Sequence, residues 1–94
     1  MKASLIYRFE QDFDDGGKVR MVIWHLPTPV RPSEHPYKYR LVYLEDDKRV
    51  IGFDNERGKG DHRHDGETET VYPFSDMPTL IRDFIGAVRQ RRTA

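Results

Sequence analysis

The sequence predicts an α+β fold: an antiparallel sheet of about five strands, two hairpins plus a short strand, with one C-terminal helix packed on one face. Three observations carry this. Runs rich in β-branched and aromatic residues alternate with turn signals up to residue 74. Apolar spacing of helical period appears after that point. The 94-residue length suits one domain, expected to span residues 1–94.

Ala3 to Phe13 and Val19 to Leu26 read as the first two strands, joined through Asp14-Asp15-Gly16-Gly17, where glycine takes a positive φ cheaply. Folding about Asp15-Gly16 places Leu5 with Leu26, Tyr7 with Trp24 and Phe9 with Val22 on one apolar face, with Trp24 in the core. Pro27, Pro29, Pro32 and Pro36 make the next segment an irregular crossing, since proline cannot donate to a ladder. Tyr37 to Glu45 and Lys48 to Asn55 form the second hairpin, turning at Asp46-Asp47. In the tight register Val42, Leu44, Ile51 and Phe53 are core. Tyr39 then faces Asp54, and Tyr37 faces Glu56. Thr68 to Phe74 reads as a short edge strand. A helix capped by Ser75 or Asp76 follows, with Pro78 in its first turn and Leu80, Ile81, Phe84, Ile85 and Val88 on one stripe. Gly86 is expected to permit a close backbone approach there. Arg89, Arg91 and Arg92 complement the negative end of the helix dipole.

Composition narrows the function. Lys+Arg and Asp+Glu each number 16, so net charge is zero and nucleic-acid contact needs a local basic patch. The chain has no cysteine, which rules out disulfides, thiolate zinc sites and cysteine nucleophiles within it. The start, MKASLIYRFEQDF, has too short an apolar run for a signal peptide, and no stretch is long enough to span a bilayer. A soluble cytoplasmic protein with no membrane partner is expected, and a core this small leaves room for self-association.

The densest chemistry lies in DNERGKGDHRHD, Asp54 to Asp65, which holds four carboxylates, two histidines, two arginines, one lysine and two glycines. Such a stretch is either a solvated connector or a site. Acceptors, imidazoles and fixed cations together are what acid–base chemistry uses, and Gly58-Lys59-Gly60 can bend and present N–H groups to an anion. In an extended chain His62 and His64 point the same way, and Asp61, Arg63 and Asp65 the other. Two imidazoles on one side suit an acid–base pair, or two metal ligands with Asp54, Glu56 or His25 as a third. Alternating tyrosines and cations in Tyr37-Lys38-Tyr39-Arg40 can stack bases and hold phosphates, or simply fill a half-exposed sheet face. His35 is expected to be structural or incidental.

The run VIWHLPTPVRPSEHPYKYRLVYL, followed by RVIGFDNERGKGDHRH and a helix with a PF-S-x-x-x-L-I-x-D-F pattern, resembles the TumE family of small toxin-like proteins. The likeness covers nearly the whole chain. It implies the toxin half of a bacterial or archaeal toxin–antitoxin pair, whose cognate antitoxin is a helix-turn-helix DNA-binding protein. It implies no catalytic residues.

Two functions are therefore carried forward. One is a small metal-independent endoribonuclease with no cofactor and an RNA substrate. His62 and His64 would be acid and base, and Glu56 or Asp54 the alternative base or orienting group. Arg57, Lys59 and Arg63 would hold phosphate, and Tyr37 and Tyr39 would position a base. The other is a non-enzymatic module that complexes the antitoxin or blocks a cellular target. A metal-dependent nuclease is a variant of the first.

Overall fold

The computed structural model describes residues 3–56 and 58–93. Six strands form one antiparallel meander in chain order: β1 Ser4–Asp12, β2 Lys18–His25, β3 Tyr37–Glu45, β4 Lys48–Asp54, β5 His62–Asp65 and β6 Thr68–Val71. A single helix, α1 Met77–Thr93, follows. The architecture is α+β as expected, with six strands rather than five.

The additional strand comes out of the charged stretch. His62–Asp65 pairs with β4 on one side and β6 on the other, through a two-residue turn at Gly66-Glu67. Gly66 has φ +63, the positive value that the first turn position of this hairpin type requires. The segment expected to run from Thr68 to Phe74 therefore ends as a strand at Val71.

Both earlier hairpins depart from the tight registers, each by one residue. Asp14, Asp15 and Gly16 form a three-residue loop closed by the Phe13 N–H donating to the Gly17 carbonyl at 2.8 Å, with Gly16 at φ +91. The extra residue slides β2, so Tyr7 faces Ile23 and Phe9 faces Met21. In the second hairpin Asp46 and Asp47 both have positive φ, as a two-residue turn of the primed kind demands. A bulge at Val50 then shifts the pairing, so that Tyr43 faces Ile51, Leu41 faces Phe53 and Arg40 faces Asp54. Because side chains alternate, each slip exchanges the two faces. Tyr39, Leu41 and Tyr43 turn to the core beside Ile51 and Phe53, and Val42 leaves it for the other face. Trp24, expected in the core, is half-buried on that other face.

The helix covers the face that carries Val19, Met21, Ile23, Tyr39, Leu41, Tyr43, Ile51 and Phe53. Asp76 is the cap: its Oδ1 accepts from the Thr79 N–H at 2.8 Å. Leu80, Phe84, Ala87 and Val88 are buried, while Ile81 and Ile85 lie at the flanks. Phe84 meets Phe53 edge-on with ring centroids 5.9 Å apart. Gly86 is exposed, and a Cβ there would touch nothing within 4 Å, so no close approach explains it. At the helix end, Arg92 lies 3.7 Å over the Phe13 ring and donates to Asp15 and to the Tyr43 hydroxyl. Arg91 donates to Glu45 at 2.8 Å. The C-terminal arginines therefore tie the helix to both hairpin turns. Among the described residues, no helix is long and apolar enough to cross a membrane.

Candidate functional site

The sheet face opposite the helix is open, and β4, β5 and β6 bring their polar residues together on it. Register sets the arrangement. Gly52 faces His64, which faces Glu69, and one row on Asp54 faces His62. His64 Nε2 lies 3.4 Å from Asp54 Oδ2 and 3.3 Å from Glu69 Oε2. Its Nδ1 is 3.2 Å from Arg49 Nη2. A guanidinium only donates, so Nδ1 is the accepting nitrogen and Nε2 carries the proton shared with the carboxylates. Lys59 Nζ lies 3.9 Å from both Glu56 and Glu69.

Gly52 makes this contact possible. A Cβ built on it would sit 2.8 Å from Arg49 Cδ, so the Arg49 stem crosses the sheet where a side chain is missing and reaches His64. Gly60 does similar work in the loop below. It is buried with φ +80, and a Cβ there would press on Pro32 at 3.1 Å. The result is a concavity of about 930 Å³ lined by Asp54, His64, Glu69, Arg49, Lys59 and Trp24, among others.

The expected site residues are only partly gathered. His64, Asp54, Glu56 and Lys59 line this concavity. His62 sits one row away, and its Nδ1 is 2.7 Å from the Gly60 carbonyl, which only accepts. Nδ1 therefore carries hydrogen and Nε2 the lone pair. Arg63 points to the helix side, its guanidinium 5.2 Å from the Phe53 ring centroid. Tyr37 is half-buried, packing near His25, His35 and Phe74. Tyr39 is 2% exposed and points into the core, opposite the face on which the tight register had set it beside Asp54. Arg57 lies outside the described residues. Among those described, no group of three His, Cys, Asp or Glu is placed to hold a metal ion.

Sequence reading missed Arg49, Glu69 and Trp24, and reached Arg40 only within its Tyr37–Arg40 segment. Glu69 was within reach, because Gly66-Glu67 is a Gly-X pair of the kind that makes a two-residue hairpin turn, and pairing across it brings Glu69 to His64. It also missed a second polar group around Asp61. Asp61 accepts from the Tyr39 hydroxyl at 2.7 Å, from the Ser33 hydroxyl at 3.0 Å and from His35 Nε2 at 2.8 Å. The Tyr37 N–H donates to His35 Nδ1, and the His35 ring stacks on Phe74 at 3.8 Å. Asn55 joins in, accepting from the Tyr39 N–H and donating to the Tyr37 carbonyl. Burial, then the Asp61 contact, holds the Tyr39 hydroxyl well above the ordinary phenol range, so it stays a donor. Every hydrogen-bonding side chain of this group is engaged. It fastens the proline-rich crossing to β3 and the loop after β4.

Fold and open cluster together define a small α+β protein with an acid–base constellation on an uncovered sheet face. Residues 2–92 match the family model described as Toxin TumE, and the chain belongs to that toxin family. No curated protein and no solved structure matches it significantly.

Proposed function

We propose that the chain is the toxin of a toxin–antitoxin pair and acts as an endoribonuclease at the His64 cluster. The observation that supports this is one imidazole held between two carboxylates and Arg49 on an open face, with Lys59 beside one of those carboxylates. In the proposed reaction a substrate phosphate takes Arg49 from His64, freeing the Nδ1 lone pair. Nδ1 accepts the 2′-OH proton, and the 2′ oxygen attacks phosphorus. Asp54 and Glu69 stabilise the imidazolium that forms, Arg49 and Lys59 the charge on the phosphorane. The bond to the 5′ oxygen breaks, that oxygen takes a proton from the Lys59 ammonium, and a 2′,3′-cyclic phosphate remains. The scheme needs no metal or cofactor. His62, with its Nε2 lone pair, is the second imidazole available to it.

The test is induced expression of the chain alone and with the product of the neighbouring gene, followed by RNA integrity and assay of purified protein. His64→Ala should lower cleavage by about 100-fold or more, the usual reach of one acid–base group. Intact RNA with the parent, or full toxicity with both His64→Ala and Glu69→Gln, would overturn the reading. A non-enzymatic reading is favoured by one observation. Edge strand β1 exposes Leu5, Ile6 and Phe9 at 47%, 43% and 39%, a surface suited to a protein partner such as the helix-turn-helix antitoxin. It predicts growth inhibition that is lost on β1 substitution and insensitive to His64→Ala.

A further inference from the structure

We propose that the open sheet face carries a track for single-stranded RNA beside the His64 cluster, with Trp24 as the platform for one unpaired base. This rests on the ribonuclease reading and adds the form of substrate and the residue that selects it.

The argument begins with a tryptophan in an unusual place. Trp24 is half-buried on the face that the helix leaves open, and no aromatic ring among the described residues stacks on it. Its cross-strand neighbours are Leu5 on β1 and Lys38 on β3. Lys38 and Arg40 are exposed, and neither forms an ion pair with a carboxylate among the described residues. An aromatic face beside unpaired cations is the combination that holds a base and its phosphate.

The second point is continuity. A smaller depression of about 290 Å³ lies toward β1, lined by Leu5, Arg8 and Arg20 among others. Val22, Trp24 and Arg40 line both this depression and the one that holds His64. They lie between the two, so a chain leaving the His64 cluster over Arg40 meets Val22 and Trp24 on β2 and then Arg8, which is paired with Glu10. His64 and Trp24 are three strands apart and four residues apart along the strands, roughly 20 Å at ordinary strand spacing and rise. The base on Trp24 is therefore a few nucleotides along the strand from the one under attack. Bases in a duplex have both faces stacked and cannot lie on Trp24 without unpairing, so the track selects single strands.

Trp24 is the chain's one tryptophan, so intrinsic fluorescence reports on this subsite directly. The probe is a short 2′-O-methyl RNA oligonucleotide, which binds but cannot be cut, alone and annealed to its complement. The single strand should quench the fluorescence saturably, and the duplex should not. With a dye-labelled strand, Trp24→Ala should weaken binding roughly 5- to 150-fold, the span of one base–aromatic stack. Trp24→Phe should retain most of it, which covers the case of an alanine variant that fails to fold. Lys38→Ala should reduce the salt slope by about 0.7. Equal quenching by the duplex, or unchanged binding by folded Trp24→Ala, overturns the proposal. So does a signal that answers only to the antitoxin protein. A parent that quenches but cuts no RNA sinks the ribonuclease reading and leaves the track standing. Cleavage without quenching sinks the track alone.

Discussion

The two faces of the sheet are built by the same strands to opposite ends. Beneath the helix, Tyr39, Leu41, Tyr43, Ile51 and Phe53 are at most 2% exposed, and Tyr43 and Tyr39 hide their hydroxyls in hydrogen bonds. On the other face the same strands present Arg40, Arg49 and Asp54, and β2 presents Trp24, to an uncovered concavity. Burial on one side holds the fold, which lets the other carry closely set charges that contribute little to stability and are open to a ligand. The contrast teaches that stability and chemistry are separable here, residue by residue along a single strand.

Substitutions that break the separation come first. Phe53→Ala empties the centre of the core and should cost about 3–5 kcal/mol in urea or thermal unfolding. Its strand neighbour Asp54→Asn should leave stability within about 0.5 kcal/mol while lowering cleavage. Comparable losses from the two would show that the faces are not independent. Asp61→Ala strands the Tyr39, Ser33 and His35 donors and should cost roughly 1–3 kcal/mol by the same measurement, with the proline-rich segment gaining protease sensitivity. Gly86→Ala, on the outer side of the helix with open space at its Cβ, should stabilise by about 1 kcal/mol and leave activity unchanged.

The smallest effect is on pH. The Gly17 N–H and then Arg92 hold the Asp15 carboxyl below its usual range, and Arg91 does so for Glu45. A depressed carboxylate contributes stability that is complete above its unfolded value and lost as pH falls through the folded one. Melting temperature should therefore drop as pH falls below roughly 4, and less steeply in an Arg91→Ala/Arg92→Ala chain. An unchanged slope would show that the helix-end ion pairs do not sense the fold.

Local pattern made the first four strands and the helix legible. Proline placement marked the crossing, Ser75 or Asp76 the helix start, which the structure settles on Asp76, and the apolar stripe the buried side of α1. The charged stretch stood out by composition, and His64, Asp54, Glu56 and Lys59 do line one concavity. The β5–β6 hairpin was hidden because four charged or polar residues, HRHD, carry no apolar alternation, although Gly66-Glu67 marked its turn. Tyr39 and Trp24 were assigned to each other's faces, because a three-residue loop and a single bulge each moved a register by one.

Spacing of apolar, turn and capping residues, which act within a few positions along the chain, decided on its own that this protein is an antiparallel sheet followed by one amphipathic helix. Which side of each strand meets the helix was left to tertiary structure, and with it the company His64 keeps. A bulge costs little locally, yet it inverts every side chain beyond it, and only packing of the whole sheet against the helix selects where it falls.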